Sequence, residues 1–250
     1  MKTLTVSALL TATGGTLLAG DENAAVTSVS TDSRTAGEGA LFIPLAGKRF
    51  DGHDYIDMAL SLGAAGCLCA RAPATLQEGK FYISVPDTRL ALKALAVWYR
   101  AQFNIPFIQI TGSVGKTTTK EMIASVVSQK YRTLKTAGNL NNDIGTPLTL
   151  LGLDDSFEAA VIETGMDHPC EIRYLGEIVR PHIAVITNIG DAHIEFFGSR
   201  EGILKAKSEI FENLDADGVA ILNGDDILLD TVQLPQRIVR CGESAHAQVR

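Results

Sequence analysis

Between Ile108 and Met122 the chain reads Ile-Gln-Ile-Thr-Gly-Ser-Val-Gly-Lys-Thr-Thr-Thr-Lys-Glu-Met. Two glycines followed at once by a lysine and a hydroxyl residue form a set that can hold a nucleotide phosphate. Gly112 and Gly115 let a tight turn aim backbone N–H groups at one point, and a helix start adds partial positive charge there. Lys116 can then reach the β- and γ-phosphates, and the Thr117 hydroxyl can ligate Mg²⁺. The usual pattern has another glycine five residues before Gly115, where this chain has Ile110. The competing reading is a plain glycine turn with a solvated lysine. It is the weaker one, because an apolar run leads in from Ile105 and a helix-compatible stretch follows to Lys130.

Four further polar features follow the loop. Gly138 to Pro147 is rich in amides (Asn139, Asn141, Asn142) and ends in a helix-start signal, which suits either a site or a loop of turn-forming asparagines. Glu163 closes the apolar run Ala159-Ala160-Val161-Ile162, where a carboxylate can hold Mg²⁺ or cap a helix. His193 lies just beyond another strand-like run and suits a metal or phosphate neighbour, or a structural histidine. Lys205 and Lys207 fall on a helix from Arg200 to Asn213 and by themselves read as surface lysines. Nearer the N-terminus, Thr31-Asp32-Ser33-Arg34 and Ala46 to His53 are polar loops. They bring Arg34, Lys48 and Arg49 near strand ends, as an anionic ligand would require, or they are simple turns.

The elements that must position these groups follow from periodicity. Val6 to Ala12 reads as a short helix stopped by Gly14-Gly15, in preference to a signal peptide. Strands are expected at Val26–Ser30, Ala40–Leu45, Gly66–Ala70 and Phe81–Val85, with a helix at Asp54–Leu62. Asp87 opens an amphipathic helix carrying Trp98 and Tyr99, read as the connector into a second domain. From Pro106 onward strands and helices alternate, through strands at 106–111, 132–136, 159–163, 182–188, 219–223 and 237–241. That alternation predicts a mainly parallel sheet with helices on both faces, with ligands at the C-terminal strand ends. The fold class is α/β, with a small domain over 1–86 and a second over 87–250.

Composition sets limits on partners. The chain has 250 residues, 46% of them hydrophobic and 20% charged, and a formal charge of −7. That balance argues against general affinity for nucleic acid or anionic membranes, and no run of about 20 apolar residues exists to span a bilayer. Cys67, Cys69, Cys170 and Cys241 lack zinc-like spacing, so reduced thiols in a cytoplasmic protein are expected.

Taken together, these motifs resemble the Mur ligases, the ATP-dependent amide ligases of peptidoglycan precursor synthesis. The resemblance rests on the phosphate loop with Thr-Thr-Thr-Lys-Glu-Met and on Asn-Leu-Asn-Asn-Asp-Ile-Gly-Thr-Pro. Glu-Thr-Gly-Met-Asp-His-Pro, Asn-Ile-Gly-Asp-Ala-His and Lys-Ala-Lys-Ser-Glu-Ile-Phe also carry it. The amide-rich loop and Glu163 to Pro169 look most like members that add D-alanyl-D-alanine to UDP-N-acetylmuramoyl-tripeptide. The small domain resembles a UDP-sugar-binding domain, and the second a partial phosphate-loop ATPase domain.

The resemblance implies that Thr111, Gly112, Ser113, Val114, Gly115, Lys116, Thr117 and Thr118 bind ATP. It implies that Thr117 and Glu163 hold one Mg²⁺, with His193 and a carbamylated Lys207 serving a second. Lys116, His193 and Lys207 would be catalytic. Ser33, Arg34, Lys48, Asn139, Asn141 and Asn142 would bind the nucleotide-sugar peptide. Val114 stands where asparagine or serine is common, which loses a side-chain hydrogen bond but leaves the backbone N–H groups. Cys170 stands where glycine is common.

Such ligases have three domains, so the resemblance implies a truncated chain, a monomer that would not ligate by itself. Rival readings are the related ligase for the third peptide residue, a folylpolyglutamate synthase-like enzyme, and a non-catalytic nucleotide-binding module. The N-terminal Thr-Asp-Ser-Arg region counts against the second of these.

Overall fold

The apolar runs pair into two main sheets, each in its own part of the chain. The computed structural model describes residues 1–48, 50–244 and 247–249. One unit comprises Met1–Gln102 with Leu150–Asp154, and the other Phe103–Thr149 with Asp155–Arg250.

In the first unit, β1 (Leu4–Thr5) leads into α1 (Val6–Thr13), whose N-cap Thr5 accepts from the Ala8 N–H. Gly14 ends the helix in the left-handed region, as the Gly14-Gly15 stop predicts. The chain then continues into a strand that the sequence reading did not include, β2 (Thr16–Ala19). A Cβ on Gly15 would lie 2.5 Å from the Ile83 side chain, so this glycine permits a close approach of the two backbones.

The expected strand at Val26–Ser30 is split, because the Thr27 N–H turns to the Gly39 carbonyl at 2.9 Å. Its halves are β3 (Ala25–Val26), which pairs with β1, and β4 (Ser28–Ser30). β5 (Ala40–Phe42), β6 (Gly66–Cys69) and β7 (Phe81–Ser84) complete the sheet in the order β2-β7-β6-β5-β4. All its pairs are parallel except β2 with β7.

A 3₁₀ turn, Gly52–Tyr55, precedes α2 (Ile56–Ser61), so the expected Asp54–Leu62 helix is two elements. α2 packs Ile56, Ala59 and Leu60 against Phe42, Cys67, Cys69 and Tyr82. The two cysteines point the same way, as alternation requires, and both thiols are free.

α3 (Thr88–Arg100) follows Asp87 as expected. It groups with the first unit, where the sequence reading placed its start in the second, because its buried face lies against α1. Buried Tyr99 also accepts from the Lys2 N–H at 2.7 Å and donates to the Leu153 carbonyl at 2.5 Å.

The second unit has a six-stranded parallel sheet in the order β13-β12-β11-β8-β10-β9. Its strands are β8 (Phe107–Thr111), β9 (Thr133–Lys135), β10 (Ala159–Glu163), β11 (Ile183–Ile186), β12 (Val219–Asn223) and β13 (Arg237–Cys241). Alternation along them feeds two cores. Ile108, Ile110, Val161 and Val185 face α4 (Lys116–Val127) through Ala124, Ile123 and Val127. Ala184 and Ile186 join Ile172 of α6 (Glu171–Val179) and Ile203 and Ala206 of α8 (Arg200–Ser208).

α5 (Gly145–Leu151), α7 (Ile194–Phe197) and α9 (Ile227–Asp230) are short. The helix expected to run to Asn213 changes after Ser208 to a 3₁₀ turn, Glu209–Asn213. β8 sits between β10 and β11, and the chain winds to one side of it and then to the other. A crevice at the strand ends results there, and the glycine loop leaves β8 at that point.

Asp87 accepts from the Arg89 and Leu90 N–H groups at 2.7 and 2.9 Å, which fixes the start of α3. Asp87→Ala is expected to cost about 0.5–2 kcal/mol. Urea unfolding followed by the fluorescence of Trp98, on the same helix, measures it. An unchanged midpoint would mean that the cap contributes nothing.

Candidate functional site

The two glycines of the loop do different work. Gly115 is the α4 N-cap at φ 79°, a left-handed conformation, and a Cβ there would meet nothing within 4 Å. Gly112 is needed for proximity, since a Cβ would fall 1.9 Å from the Thr187 Oγ1. No side chain caps α4, so the N–H groups of its first turn face the loop mouth, beside exposed Thr117 and Thr118.

The segment after β11 braces the loop. The Asn188 carbonyl accepts from the Ser113 N–H at 3.1 Å, and its Oδ1 accepts from the Val114 N–H at 3.0 Å. Its Nδ2 and the Thr187 hydroxyl both donate to the Val114 carbonyl, at 3.2 and 2.7 Å. The Ser113 Oγ accepts from the Gly190 N–H at 2.9 Å. Asp226 in turn accepts from the Ile189 N–H at 2.7 Å, and Arg200 donates to the Ile189 carbonyl. These bonds correct one expectation: the Val114 N–H is engaged by Asn188. The sequence reading placed Asn188 at a strand end without giving it a role.

Lys116 lies back over the loop, donating to the Gly112 carbonyl at 2.9 Å. Burial pushes its pKa down, while the negative charges of Glu163 and Asp167 oppose the shift.

Glu163 is 2% exposed at the end of β10, where its register partner is Ile110, two residues before Gly112. Its N–H donates to the Thr136 hydroxyl at 3.0 Å, and its Oε1 accepts from the Asn141 Nδ2 at 3.0 Å. Its Oε2 has no hydrogen-bond partner and lies 3.6 Å from the Lys120 ammonium. Lys120 is only 1% exposed and also approaches Glu121 Oε1 at 3.3 Å. Removing one member of a buried pair typically costs about 3–5 kcal/mol. Sequence reasoning assigned Lys120 no role. Its spacing, four residues after Lys116, was the available signal.

Lys207 is 3% exposed, and no carboxylate lies within ion-pair reach of it among the described residues. Burial, with repulsion from Lys116, pushes its pKa down to about 7. The surface-lysine reading from the residues alone is therefore wrong for Lys207. His193 is partly exposed, with Nε2 3.6 Å from Asp167 Oδ1. It adopts a left-handed φ of 64° as the residue before α7. Glu209 accepts from the N–H groups of Cys170 and Arg173, both at 3.1 Å, and so holds the start of α6. That explains a buried glutamate in the Lys-Ser-Glu stretch. Cys170 has φ 69°, the conformation that glycine would adopt there without strain.

The expected substrate residues divide. Asn141 orients Glu163, and its carbonyl accepts from the Gly165 N–H at 2.8 Å. The Asn142 Oδ1 accepts from the Gly145 N–H at 2.8 Å and so caps α5, while Asn139 is exposed. In the first unit, Arg34 is exposed and forks onto Asp32, donating at 2.9 and 2.6 Å. Those hydrogen bonds hold the Asp32 carboxyl down at about 2. Ser33 touches the Met58 sulfur at 3.8 Å, and exposed Lys48 makes no ion pair among the described residues. Arg49 lies outside the described residues.

The donors around Glu163 suit a hard cation. The orphaned Glu163 Oε2 is a hard oxygen donor of the kind Mg²⁺ prefers, and the exposed Thr117 hydroxyl in the first turn of α4 is a second of the same type. No group of three or more His, Cys, Asp or Glu side chains converges among the described residues. The described residues therefore offer no complete cage, the usual case for Mg²⁺ bound together with phosphates and water.

Comparison with known proteins extends this geometry. The Mur ligase middle domain matches residues 110–250, and the Mur ligase family catalytic domain matches residues 25–100. The UDP-N-acetylmuramoyl-tripeptide–D-alanyl-D-alanine ligase of Escherichia coli K12 is 46% identical over 199 residues, covering 80% of this chain and 43% of the relative. The Bacillus subtilis 168 enzyme of the same name is also 46% identical, covering 83% of this chain and 46% of its own length. The chain thus spans just under half the length of these relatives.

A crystal structure of MurF from Acinetobacter baumannii superposes with a TM-score of 0.90 at 38% identity, covering 96% of this chain and 53% of that one. MurF ligase from Thermotoga maritima, in complex with ADP, gives 0.80 at 33%, covering 88% and 51%. A UDP-N-acetylmuramoyl-L-alanyl-D-glutamate–2,6-diaminopimelate ligase shares the fold alone, at 0.62 and 18%. With its middle-domain match covering more than half of its length, the chain belongs to the Mur ligase family.

Proposed function

We propose that this chain supplies the ATP site, and the nucleotide-sugar domain, of a ligase that joins D-alanyl-D-alanine to UDP-N-acetylmuramoyl-tripeptide. The observation that carries the reading is the buried Glu163 carboxylate, with one oxygen unpartnered, at the end of β10 beside the root of the Gly112–Lys116 loop. The ADP in the Thermotoga relative supports nucleotide at this loop. The marked preference in identity for the D-alanyl-D-alanine ligases over the diaminopimelate ligase supports the choice of substrates. We place the enzyme in the cytoplasm as a monomer, with residues 1–86 holding the UDP-sugar through Ser33, Arg34 and Lys48.

In this reading the γ-phosphoryl group passes to the tripeptide carboxylate, and the amine of D-alanyl-D-alanine attacks the resulting acyl phosphate. Negative charge accumulates on the transferring group, so fixed cations and N–H groups do the stabilising. The first-turn N–H groups of α4, together with Lys116, hold the phosphates. Thr117 and Glu163 would hold one Mg²⁺, with Asn141 fixing the carboxylate. His193 and Lys207 would serve a second, Lys207 as its carbamate. Mg²⁺ supplies charge neutralisation along the phosphate chain. Lys207 suits carbamylation because a neutral amine is the form that attacks CO₂, and burial favours that form. Activity is tested with MgATP, UDP-N-acetylmuramoyl-tripeptide and D-alanyl-D-alanine, scored by product mass in an enzyme of full family length that carries this sequence. Product from the dipeptide nucleotide and a third amino acid would shift the assignment to the neighbouring ligase. Nucleotide binding without any product would leave a binding module.

Three outcomes follow from the site. Lys116→Ala should weaken ATP-Mg binding by about 1.5–3 kcal/mol, the worth of a hydrogen bond to a charged group. Equal affinities in calorimetric titrations would remove the phosphate-loop role. Lys207→Ala should lose ligase activity and regain part of it when a short carboxylic acid is supplied. Full activity without rescue would exclude the ligand role. Lys207 also carries a pH signature in stability. Its folded pKa of about 7 lies below the ordinary 10.5, so its ammonium destabilises the fold. That cost is complete below about pH 7 and fades as pH rises toward 10.5. Lys207→Met should therefore melt higher than the parent at pH 6.5, with the gap closing by about pH 10. A gap independent of pH would show that Lys207 does not titrate in this window.

A further inference from the structure

Lys120 is the one buried cation of the site that the reading above leaves without a task. Helical spacing puts it one turn beyond Lys116 and three residues beyond Thr117, on the face of α4 that packs on β10. Its side chain is 1% exposed, as buried as the apolar residues around it. Its ammonium stands between two carboxylates, 3.6 Å from Glu163 Oε2 and 3.3 Å from Glu121 Oε1. The longer distance matters. Lys120 neutralises Glu163 without donating a hydrogen bond to Oε2, while Asn141 holds the other oxygen. Glu121 is half exposed and also pairs with Lys135.

We propose that Lys120 is a positioning residue that stands in for the metal, neutralising Glu163 while no nucleotide is bound and so making divalent-ion binding depend on nucleotide phosphate. The inference rests on the assignment of Glu163 as a metal ligand. Glu163 and Lys120 sum to no charge, and the Lys116 ammonium stands within the field of Glu163 and Asp167, so this carboxylate alone presents little attraction to a divalent cation. A polyphosphate supplies the missing negative charge. When Oε2 turns to the cation, Lys120 keeps Glu121 as its partner and is not left as an unpaired buried charge.

The test is a Mn²⁺ titration followed by electron paramagnetic resonance of the free ion, with and without a non-hydrolysable ATP analogue. Lys120→Met should tighten nucleotide-free Mn²⁺ binding by about tenfold or more, because the competing cation is gone. Lys120→Arg should leave it within about twofold, since the charge is kept. A folded Lys120→Met that binds Mn²⁺ no better than the parent overturns the proposal. Should Lys120→Met fail to fold, the half-exposed Glu121→Gln decides. Losing its second carboxylate commits Lys120 to Glu163, so Mn²⁺ affinity in the presence of nucleotide should fall about threefold or more. No change there overturns the proposal as well. Glu163→Gln keeps the two layers apart. If nucleotide-dependent Mn²⁺ binding survives it, the metal assignment falls. If binding is lost while the Lys120 and Glu121 variants behave as the parent, only the stand-in role falls.

Discussion

Glu163 must be ionised to hold a cation, yet it sits at the buried end of a strand whose other residues are apolar. A carboxylate taken out of water is costly unless paired and hydrogen-bonded. Much of the second unit is arranged around meeting that requirement. Thr136 fixes the Glu163 backbone, Asn141 takes one carboxylate oxygen, and Lys120 balances the charge. These come from three different connections: the end of β9, the amide-rich loop, and the helix that carries the phosphate loop. The parallel register of β10 on β8 then places the carboxylate next to the root of that loop. Moving β10 by one residue would turn Glu163 to the other face of the sheet.

The opposite wall of the crevice depends on β11. Thr187 and Asn188 hold the loop backbone and Gly190 the Ser113 hydroxyl through hydrogen bonds, and Asp226 and Arg200 hold that segment from behind. The loop therefore cannot adapt freely to whatever enters. Its N–H groups at Ser113 and Val114 are fixed internally, while those of the α4 first turn have no side-chain cap. Preorganisation of this kind is what electrostatic stabilisation of a transferring group needs, because no dipole has to reorient at the moment of reaction. Val114 fits the same account. Its side chain is exposed and contributes nothing polar, while its backbone is the part that the bracing uses.

Most of the second unit was legible, because its central strands β8, β10, β11 and β12 are short and mainly apolar, with helix-compatible stretches between them. The glycine turn between β8 and α4, the carboxylate at the end of β10 and the parallel sheet could be read from residue type and position alone. What escaped had physical reasons. β2 follows directly on a glycine stop and is only four residues long, so periodicity had nothing to register. α3 has the amphipathic pattern of a connector, and only its contacts reveal that α1 and Tyr99 tie it to the first unit. Lys120 offered only its helical spacing from Lys116, since burial of a charge is decided by its partner on another strand. Lys207 had no sequence-local signal at all and was reached only through the resemblance.

Lys120 and Lys207 show how one residue type can be given two chemistries within one site. Both are almost fully buried. Lys120 has two carboxylates within ion-pair distance. Lys207 has none among the described residues, and its influential charged neighbour is Lys116, a cation. Burial therefore undermines the ammonium of Lys207, while Lys120 stands paired. A site that needs a fixed cation can use the first arrangement, and one that needs a nucleophilic amine can use only the second. The proposed roles, a stand-in cation at Lys120 and a carbamate at Lys207, thus follow from where the carboxylates stand, since lysine itself is common to both.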